Sequence, residues 1–243
     1  MGAHALLSPS AAHRWINCAA APRLEANVID SAAEGTLAHA YCAKKLKDFL
    51  GLPNEAEAKE IAELKDRYHT GEMDEYTDTY KTLVLEKFNE ARAATKDTQL
   101  LIETRLDFSA YVPDAFGTAD AIIIADGTME VIDFKYGKGV KVSAYQNPQM
   151  QIYALGAYDK FSFEYKIDRV RMTIIQPRIA NLSEYELSVS DLLAWTDTVL
   201  IPKAKQAYEG NGPQVPGDWC QFCKVKSSCR ALTKKCIEAA KNN

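Results

Sequence analysis

The sequence predicts a mixed α/β fold of the α+β kind, with a mixed central sheet flanked by helices, and three observations carry that prediction. Short apolar runs bounded by turn residues fall at residues 100–108, 119–125, 129–135 and 169–176, several with a two-residue alternation, as strands require. Apolar residues at helical spacing run ahead of these strands and again between the third and the fourth, so a helix interrupts the strand order. At 243 residues, 47% hydrophobic and 26% charged, the chain is long enough to bury a substantial core, and one elaborated domain is expected.

The elements follow in order. Ser8 stands before Pro9 as a helix cap, so a short helix is expected to turn Trp15 inward and to end near Cys18. Ser31-Ala-Ala-Glu34 is a capping box and opens a second helix through Leu37, His39, Tyr41 and Leu46. Residues 50–71 are acidic and helical in composition, broken at Leu52-Pro53. Met73, Tyr76, Tyr80, Leu83, Val84, Phe88 and Ala91 then recur at helical intervals, which makes a long amphipathic helix.

Ile102, Thr104, Leu106 and Phe108 alternate with Glu103, Arg105 and Asp107, the pattern of a half-exposed strand. Residues 119–125 and 129–135 flank Asp126-Gly127, a strong hairpin signal. Asn147-Pro148 sets a proline at a first helical position, and Met150, Tyr153, Ala154 and Ala157 continue at helical spacing. Residues 169–176 supply another strand and residues 187–189 a short one. Residues 191–208 are helical, with Pro202 expected to kink or restart the helix. GNGPQVPGD reads as a loop into Cys220.

Three polar groups interrupt the hairpin: Asp120, Asp133 and Lys135. Alternation points Val131, Asp133 and Lys135 to one face, with Ile132 and Phe134 on the other, in a core. Antiparallel pairing brings Asp120 and Asp133 to the same end; whether they share a face depends on the register. Two converging carboxylates suit a hard divalent cation, and a nearby lysine can orient a water or stabilise charge on a phosphoryl oxygen. An Asp-x-Lys alone equally describes a surface ion pair. Gln149 and Tyr153, four apart, share a helix face.

Six cysteines without a secretory signal read as metal ligands or free thiols rather than disulfides. Cys220-x-x-Cys223-x5-Cys229 gives three closely spaced thiols, and a tetrahedral site takes a fourth from Cys18, Cys42 or Cys236. Four cysteines suit either a [4Fe-4S] cluster or zinc, and buried or oxidised thiols are the bland alternative.

The net charge of -4 argues against a wholly basic nucleic-acid surface. Local basic groups remain at Lys138 and Lys141, at Lys203 and Lys205, and from Lys224 through Arg230 to Lys235, whereas acidic residues crowd between Glu55 and Glu90. No apolar run approaches the roughly 20 residues of a membrane span, and no charged segment followed by an apolar one opens the chain, so a cytoplasmic location without membrane contact is expected.

Taken in order, Asp120, Asp133-Phe134-Lys135 and Gln149-x-x-x-Tyr153 resemble the PD-(D/E)XK nuclease fold, in its RecB-type exonuclease branch. The resemblance implies a restriction-endonuclease-like core in which Asp120 and Asp133 bind Mg2+ or Mn2+, Lys135 is catalytic, and Gln149 and Tyr153 lie on a helix contacting DNA and the site. Gly35-x-x-x-His39 is similar to the branch's first motif, which adds His39 to the metal ligands beside the Phe134 carbonyl. Some relatives carry an acid on the first core strand, which makes Glu103 a candidate third acid; a solvent-facing partner of Arg105 is the other reading. Members with an iron-sulfur cluster take one cysteine from ahead of the histidine motif and three from after the core, which implies Cys18, Cys220, Cys223 and Cys229 as [4Fe-4S] ligands, a structural cluster joining the N- and C-terminal segments. Cys42 and Cys236 are left as free thiols.

On this resemblance a single nuclease domain covers 1–243, with a cluster arm at 1–30, a helical part at 31–98, a nuclease core at 99–209 and a cysteine-rich segment at 210–243. EGTLAHAYC, FGTADAIIIADGT, VIDFKYGKGV, NPQMQIYALGA and WCQFCKVKSSC look closest to a phage- and prophage-encoded subgroup, whose members tend to run on with further helices. The expected activity is metal-dependent DNA exonuclease action in phage recombination, replication or repair. DNA is the expected partner, with a phage single-strand annealing or single-strand-binding protein as a second. The alternatives are a DNA-binding module that does not cut and a scaffold that recruits a recombination partner.

Overall fold

A computed structural model describes residues 5–28, 33–210 and 212–241. In chain order the elements are α1 (Ala12–Asn17), α2 (Ala21–Glu25), α3 (Ala33–Leu50), α4 (Glu55–Tyr68), α5 (Gly71–Ala94), β1 (Gln99–Asp107), β2 (Phe116–Ala125), β3 (Gly127–Phe134), α6 (Pro148–Phe161), β4 (Ile167–Gln176), β5 (Asn181–Ser188), α7 (Val189–Trp195), α8 (Ile201–Glu209) and α9 (Arg230–Lys241). The expected mixed sheet flanked by helices is present. Among the described residues no helix is long and apolar enough to cross a membrane. The chain groups into two compact units, the first from Met1–Asp30, Asp107–Gly117 and Ser190–Asn243, the second from Ser31–Leu106 and Thr118–Val189. The β1–β2 connection and the segment from Ser190 fall in the first unit with the N-terminal arm.

The second unit holds a five-stranded sheet in the order β1-β2-β3-β4-β5. β2 and β3 are antiparallel, with Ala121 opposite Ile132 and Ala125 opposite Thr128 across Asp126-Gly127. Gly127 alone takes up the left-handed region in this turn, with φ of 87°, a conformation a side chain would resist. β3 and β4 are parallel, which demands a crossover, and α6 provides it by packing on both strands. Asn147 caps α6, its side chain accepting from the Gln149 and Met150 amides, and Pro148 follows without an N–H to lose. From Met150 to Ala157 every residue of α6 is buried.

Leu37, Leu46, Met73, Tyr80, Val84 and Phe88 of α3 and α5 pack with Ala121, Ile123, Ile132, Phe134 and Ile175 of the sheet. The alternate residues Ile122, Ile124, Val131, Met172 and Ile174 are buried as well. The face that carries Asp133 is therefore also core, and the sheet is covered on both sides. Burying each such aliphatic side chain contributes about 1.5–3 kcal/mol.

Two local expectations need correction, and a third is not described. Ser8 makes no capping bond: a short 3-10 turn over Pro9–Ala11 intervenes before α1, and the Ser8 carbonyl instead accepts from Trp15 Nε1 at 3.0 Å. The capping box at Ser31 lies outside the described residues. The last strand is not a short piece at 187–189 but β5, which pairs antiparallel with all of Arg169 to Gln176; as an edge strand it carries Glu184 and Glu186 outward to Lys87, Arg169 and Arg171, which masks its apolar signal. Pro202 behaves as expected, with a π-helical turn at Thr196–Leu200 that absorbs its missing N–H before α8 begins.

The first unit gathers α1, α2 and α8, with α1 also packed on the 3-10 turn at Asp218–Phe222. Trp15 is buried there as expected, with Phe108, Leu200, Ala204 and Ala207. Arg14 and Glu25 pair at 3.1 Å, and Glu25 also accepts from the Lys224 amide at 2.8 Å, so α2 is tied to the cysteine segment.

Candidate metal centre and cysteine cavity

Ala121 opposite Ile132 fixes the hairpin register; one step further puts Asp120 across from Asp133 at the end remote from the turn. The two carboxylates diverge in what they bind. Asp120 Oδ2 accepts the Phe134 backbone N–H at 2.7 Å, and Oδ1 lies 3.2 Å from Nδ1 of His39, delivered by α3. The His39 ring meets the edge or face of Phe134 at 5.3 Å between centroids, so packing as well as hydrogen bonding fixes its orientation.

Glu103 completes this group. One ligand atom each from His39, Glu103 and Asp120 lie within 4.8 Å of one another. Of the two readings of Glu103, candidate third acid or solvent-facing partner of Arg105, the first fits the geometry: a left-handed φ of 49° breaks the alternation inside β1 and the carboxylate joins His39 and Asp120. The sequence held no local signal for that backbone, since glutamate is not a residue that favours it.

Asp133 belongs to a second group on the same hairpin end. Lys135 Nζ lies 2.9 Å from Asp133 Oδ2 and 3.2 Å from Oδ1. Gln149 at the start of α6 bridges the pair, donating Nε2 to Asp133 Oδ1 at 2.8 Å and accepting from Lys135 Nζ at 3.1 Å. Tyr153, one turn further along α6, is buried and hydrogen-bonds Gln149. Of the predicted catalytic residues, Asp133, Lys135, Gln149 and Tyr153 are thus joined side chain to side chain, while Asp120 bonds His39 and the Phe134 amide instead. Asp133 Oδ2 is buried, and the contact it has is the Lys135 ammonium at 2.9 Å.

Electrostatics support the same reading. Burial pushes the Glu103 carboxyl up, and the Asp120 charge adds to it, to about 8. For His39, burial alone lowers the affinity for its proton, but the Asp120 carboxylate beside it wins and raises the pKa to about 9. Burial pushes Asp120 up and the His39 charge pulls it down, with a net lowering that keeps it ionised. Burial holds Asp133 above the usual carboxylate range even against Lys135. Burial also raises the Tyr153 phenol, with Asp133 as the next cause, so it stays neutral. Three acids with one histidine present hard oxygen donors and a nitrogen, a set that fits Mg2+ or Mn2+. With Asp120 ionised, His39 Nδ1 donates to it and leaves Nε2 for a cation once its proton departs.

The four cysteines named from the resemblance, Cys18, Cys220, Cys223 and Cys229, line one cavity in the first unit with Arg14, Trp219 and Leu232. Cys42 is buried in α3 and Cys236 is exposed on α9, and neither lines it. Backbone amides approach two of the sulfurs: Val215 N lies 3.4 Å from Cys18 Sγ and Gly217 N 3.4 Å from Cys220 Sγ. Such N–H contacts stabilise thiolate charge. Among the described residues no three sulfurs fall within 4.8 Å of one another.

One solved structure, titled "Crystal structure of SSO0001", is 15% identical to this chain, covering 93% of it and 85% of its own length at a TM-score of 0.38, a likeness that carries no argument. The family described as "Protein of unknown function (DUF2800)" matches residues 4–243. That span takes in the histidine helix, the carboxylate hairpin, the glutamine-tyrosine helix and all four cavity cysteines, and the chain belongs to the DUF2800 family.

Proposed function

We propose that this chain is a metal-dependent deoxyribonuclease that hydrolyses phosphodiester bonds, acting as an exonuclease on DNA in phage recombination, replication or repair. The observation that carries the reading is the Gln149 bridge between Asp133 and Lys135, set at the hairpin end where Asp120 gathers His39 and Glu103. An ordinary surface ion pair has no need of a helix-borne glutamine to hold both partners.

His39, Glu103, Asp120 and Asp133, with the Phe134 carbonyl, would hold Mg2+ or Mn2+. When bound, the metal lowers the pKa of a water and offsets charge that develops on the phosphate. Lys135, fixed between Asp133 and Gln149, donates to the attacking water or to a phosphoryl oxygen. Gln149 keeps the lysine from swinging to solvent, so its position costs no reorganisation during the reaction. Tyr153 stays protonated and hydrogen-bonds Gln149, which steadies the bridge.

In the first unit, Cys18, Cys220, Cys223 and Cys229 would hold a [4Fe-4S] cluster that fixes the N-terminal arm to the cysteine segment. A single zinc with Zn–S of about 2.3 Å needs its thiolates about 3.8 Å apart. A [4Fe-4S] cluster holds its thiolates on separate irons, and the order of the cysteines, one ahead of the histidine helix and three after the core, favours it through the resemblance.

The test is digestion of end-labelled linear and circular DNA by anaerobically purified protein, with Mg2+ or Mn2+, beside Asp133→Asn and Lys135→Ala. Metal-dependent loss of linear DNA, reduced at least 100-fold by either substitution, is the expected result. Protein that binds DNA but cuts neither form, with both variants binding equally, would replace the nuclease with a DNA-binding module.

A further inference from the structure

The segment between Lys135 and α6 is held by side chains that the cleavage chemistry does not use. Gln176, 1% exposed at the end of β4, donates Nε2 to the Gly137 carbonyl and, at 2.9 Å, to the Val140 carbonyl, and its Oε1 accepts the Val142 N–H at 3.1 Å. Asn181, 6% exposed at the start of β5, adds Nδ2 bonds to the Val142 carbonyl at 2.8 Å and to Gln176 Oε1 at 3.2 Å. Ser183 then accepts the Ala144 amide at 2.9 Å. Two buried amide side chains are spent on the backbone of a surface loop.

That loop displays a particular chemistry. Lys138 and Lys141 are exposed, and neither has an ion-pair partner among the described residues. Tyr145 is 64% exposed, propped edge to face on Tyr185 at 5.0 Å between centroids. Its backbone is fixed on both sides. Tyr145 N donates to Ser143 Oγ at 3.1 Å, Asn147 Nδ2 donates to the Ser143 carbonyl at 2.9 Å, and Gln146 is held in the left-handed region at φ 49°. A strained residue persists only where its surroundings over-determine it, so the ring stands on a rigid base. Four residues on, Gln149 grips Lys135 and Asp133.

We infer that Tyr145, with Lys138 and Lys141, is a stacking platform for a single-stranded DNA segment that leads into the Asp133–Lys135 site. The inference rests on the nuclease reading for the identity of the strand as DNA. An exposed, immobile aromatic ring gains from an unpaired base, whose face is open, and gains little from a duplex whose bases are already stacked and paired. The two lysines supply phosphate contacts that carry no sequence information. Gln176 and Asn181 act as positioning residues, since they fix the loop and touch no strand.

The experiment is equilibrium binding of a short thymidine oligonucleotide and of a duplex of equal length, followed by fluorescence anisotropy in buffer with EDTA so that nothing is cut. Wild type is compared with Tyr145→Ala, Tyr145→Phe and the Lys138→Ala/Lys141→Ala pair. Tyr145→Ala is expected to weaken single-strand binding by about tenfold and duplex binding by less than about twofold, with Phe restoring the single-strand affinity. The double lysine variant is expected to reduce the salt dependence of single-strand binding by about 1.4 in log-log slope. Equal loss for both DNA forms, no loss for either, or failure of Phe to restore binding overturns the platform. The outcome is separable from that of the nuclease reading, because binding is measured without metal: wild type that stacks oligonucleotide on Tyr145 yet never cuts DNA removes the nuclease and keeps the platform.

Discussion

A left-handed φ of 49° at a carboxylate-bearing residue inside a strand costs about 1 kcal/mol or more, and Glu103 adds the desolvation that keeps its carboxyl protonated up to about 8. Both costs vanish in Glu103→Gly, which tolerates the backbone and has no acid to bury. The metal-free variant should melt at a higher temperature than wild type, by differential scanning fluorimetry, while its Mn2+ affinity by isothermal titration falls at least tenfold; a lower melting temperature would show that the turn at Glu103 is not strained. The same residue sets a pH dependence. Below about 8 Glu103 holds a proton, and below about 9 His39 does, both of which must leave before either group ligates. Mn2+ affinity should therefore strengthen as pH rises through these values and level off above about 9, with Glu103→Gln removing one released proton; a flat profile would exclude both as ligands. The hairpin carboxylates and Lys135 were readable from the sequence because strand alternation holds there, whereas Glu103 was named only through the resemblance, because its inward turn depends on one backbone angle that no neighbouring residue announces.

Between α5 and the sheet a charged network replaces part of the apolar contact. Glu130 on β3, 6% exposed, takes Lys87 of α5 at 2.9 Å and Arg171 of β4 at 3.7 Å, while Thr173 donates to it at 2.5 Å. Removing one partner of a buried network leaves the others desolvated and unpaired. Glu130→Ala should cost about 3 kcal/mol in urea denaturation, and Glu130→Gln less, since it keeps a carbonyl for Thr173. A loss under about 1 kcal/mol would mean that water already screens the network. The same charges explain why β5 was hard to foresee: Lys87, Arg169 and Arg171 neutralise glutamates that look from the sequence like loop residues. The β2–β3 hairpin and α6 were legible because Asp126-Gly127 and Asn147-Pro148 act locally, whereas the identity of an edge strand is decided by partners far along the chain.

Two compact units from one chain place the candidate metal ligands and the cysteines in separate bodies, so the losses proposed for each should be separable. Cys18→Ser, prepared without oxygen, should lose most of its bound iron and become sensitive to trypsin at Arg23 and from Lys224 to Lys235, while Mn2+ binding at His39 and Asp120 persists. Retained iron in that variant would remove Cys18 from the ligand set. The cavity was only half legible from the residues alone: Cys220, Cys223 and Cys229 advertise themselves by spacing, whereas Cys18 was set apart from Cys42 only by the resemblance, and the fold brings its sulfur beside the Val215 amide, 197 residues away. That separation also acts in time. At roughly 5–20 residues per second a ribosome needs about 10–40 s to pass from Cys18 to Val215. Throughout that interval the Cys18 thiol waits without its partners, open to oxidation or to a passing metal ion, so under the proposed cluster the yield of loaded protein would depend on how reducing the cell is while the chain is still being made.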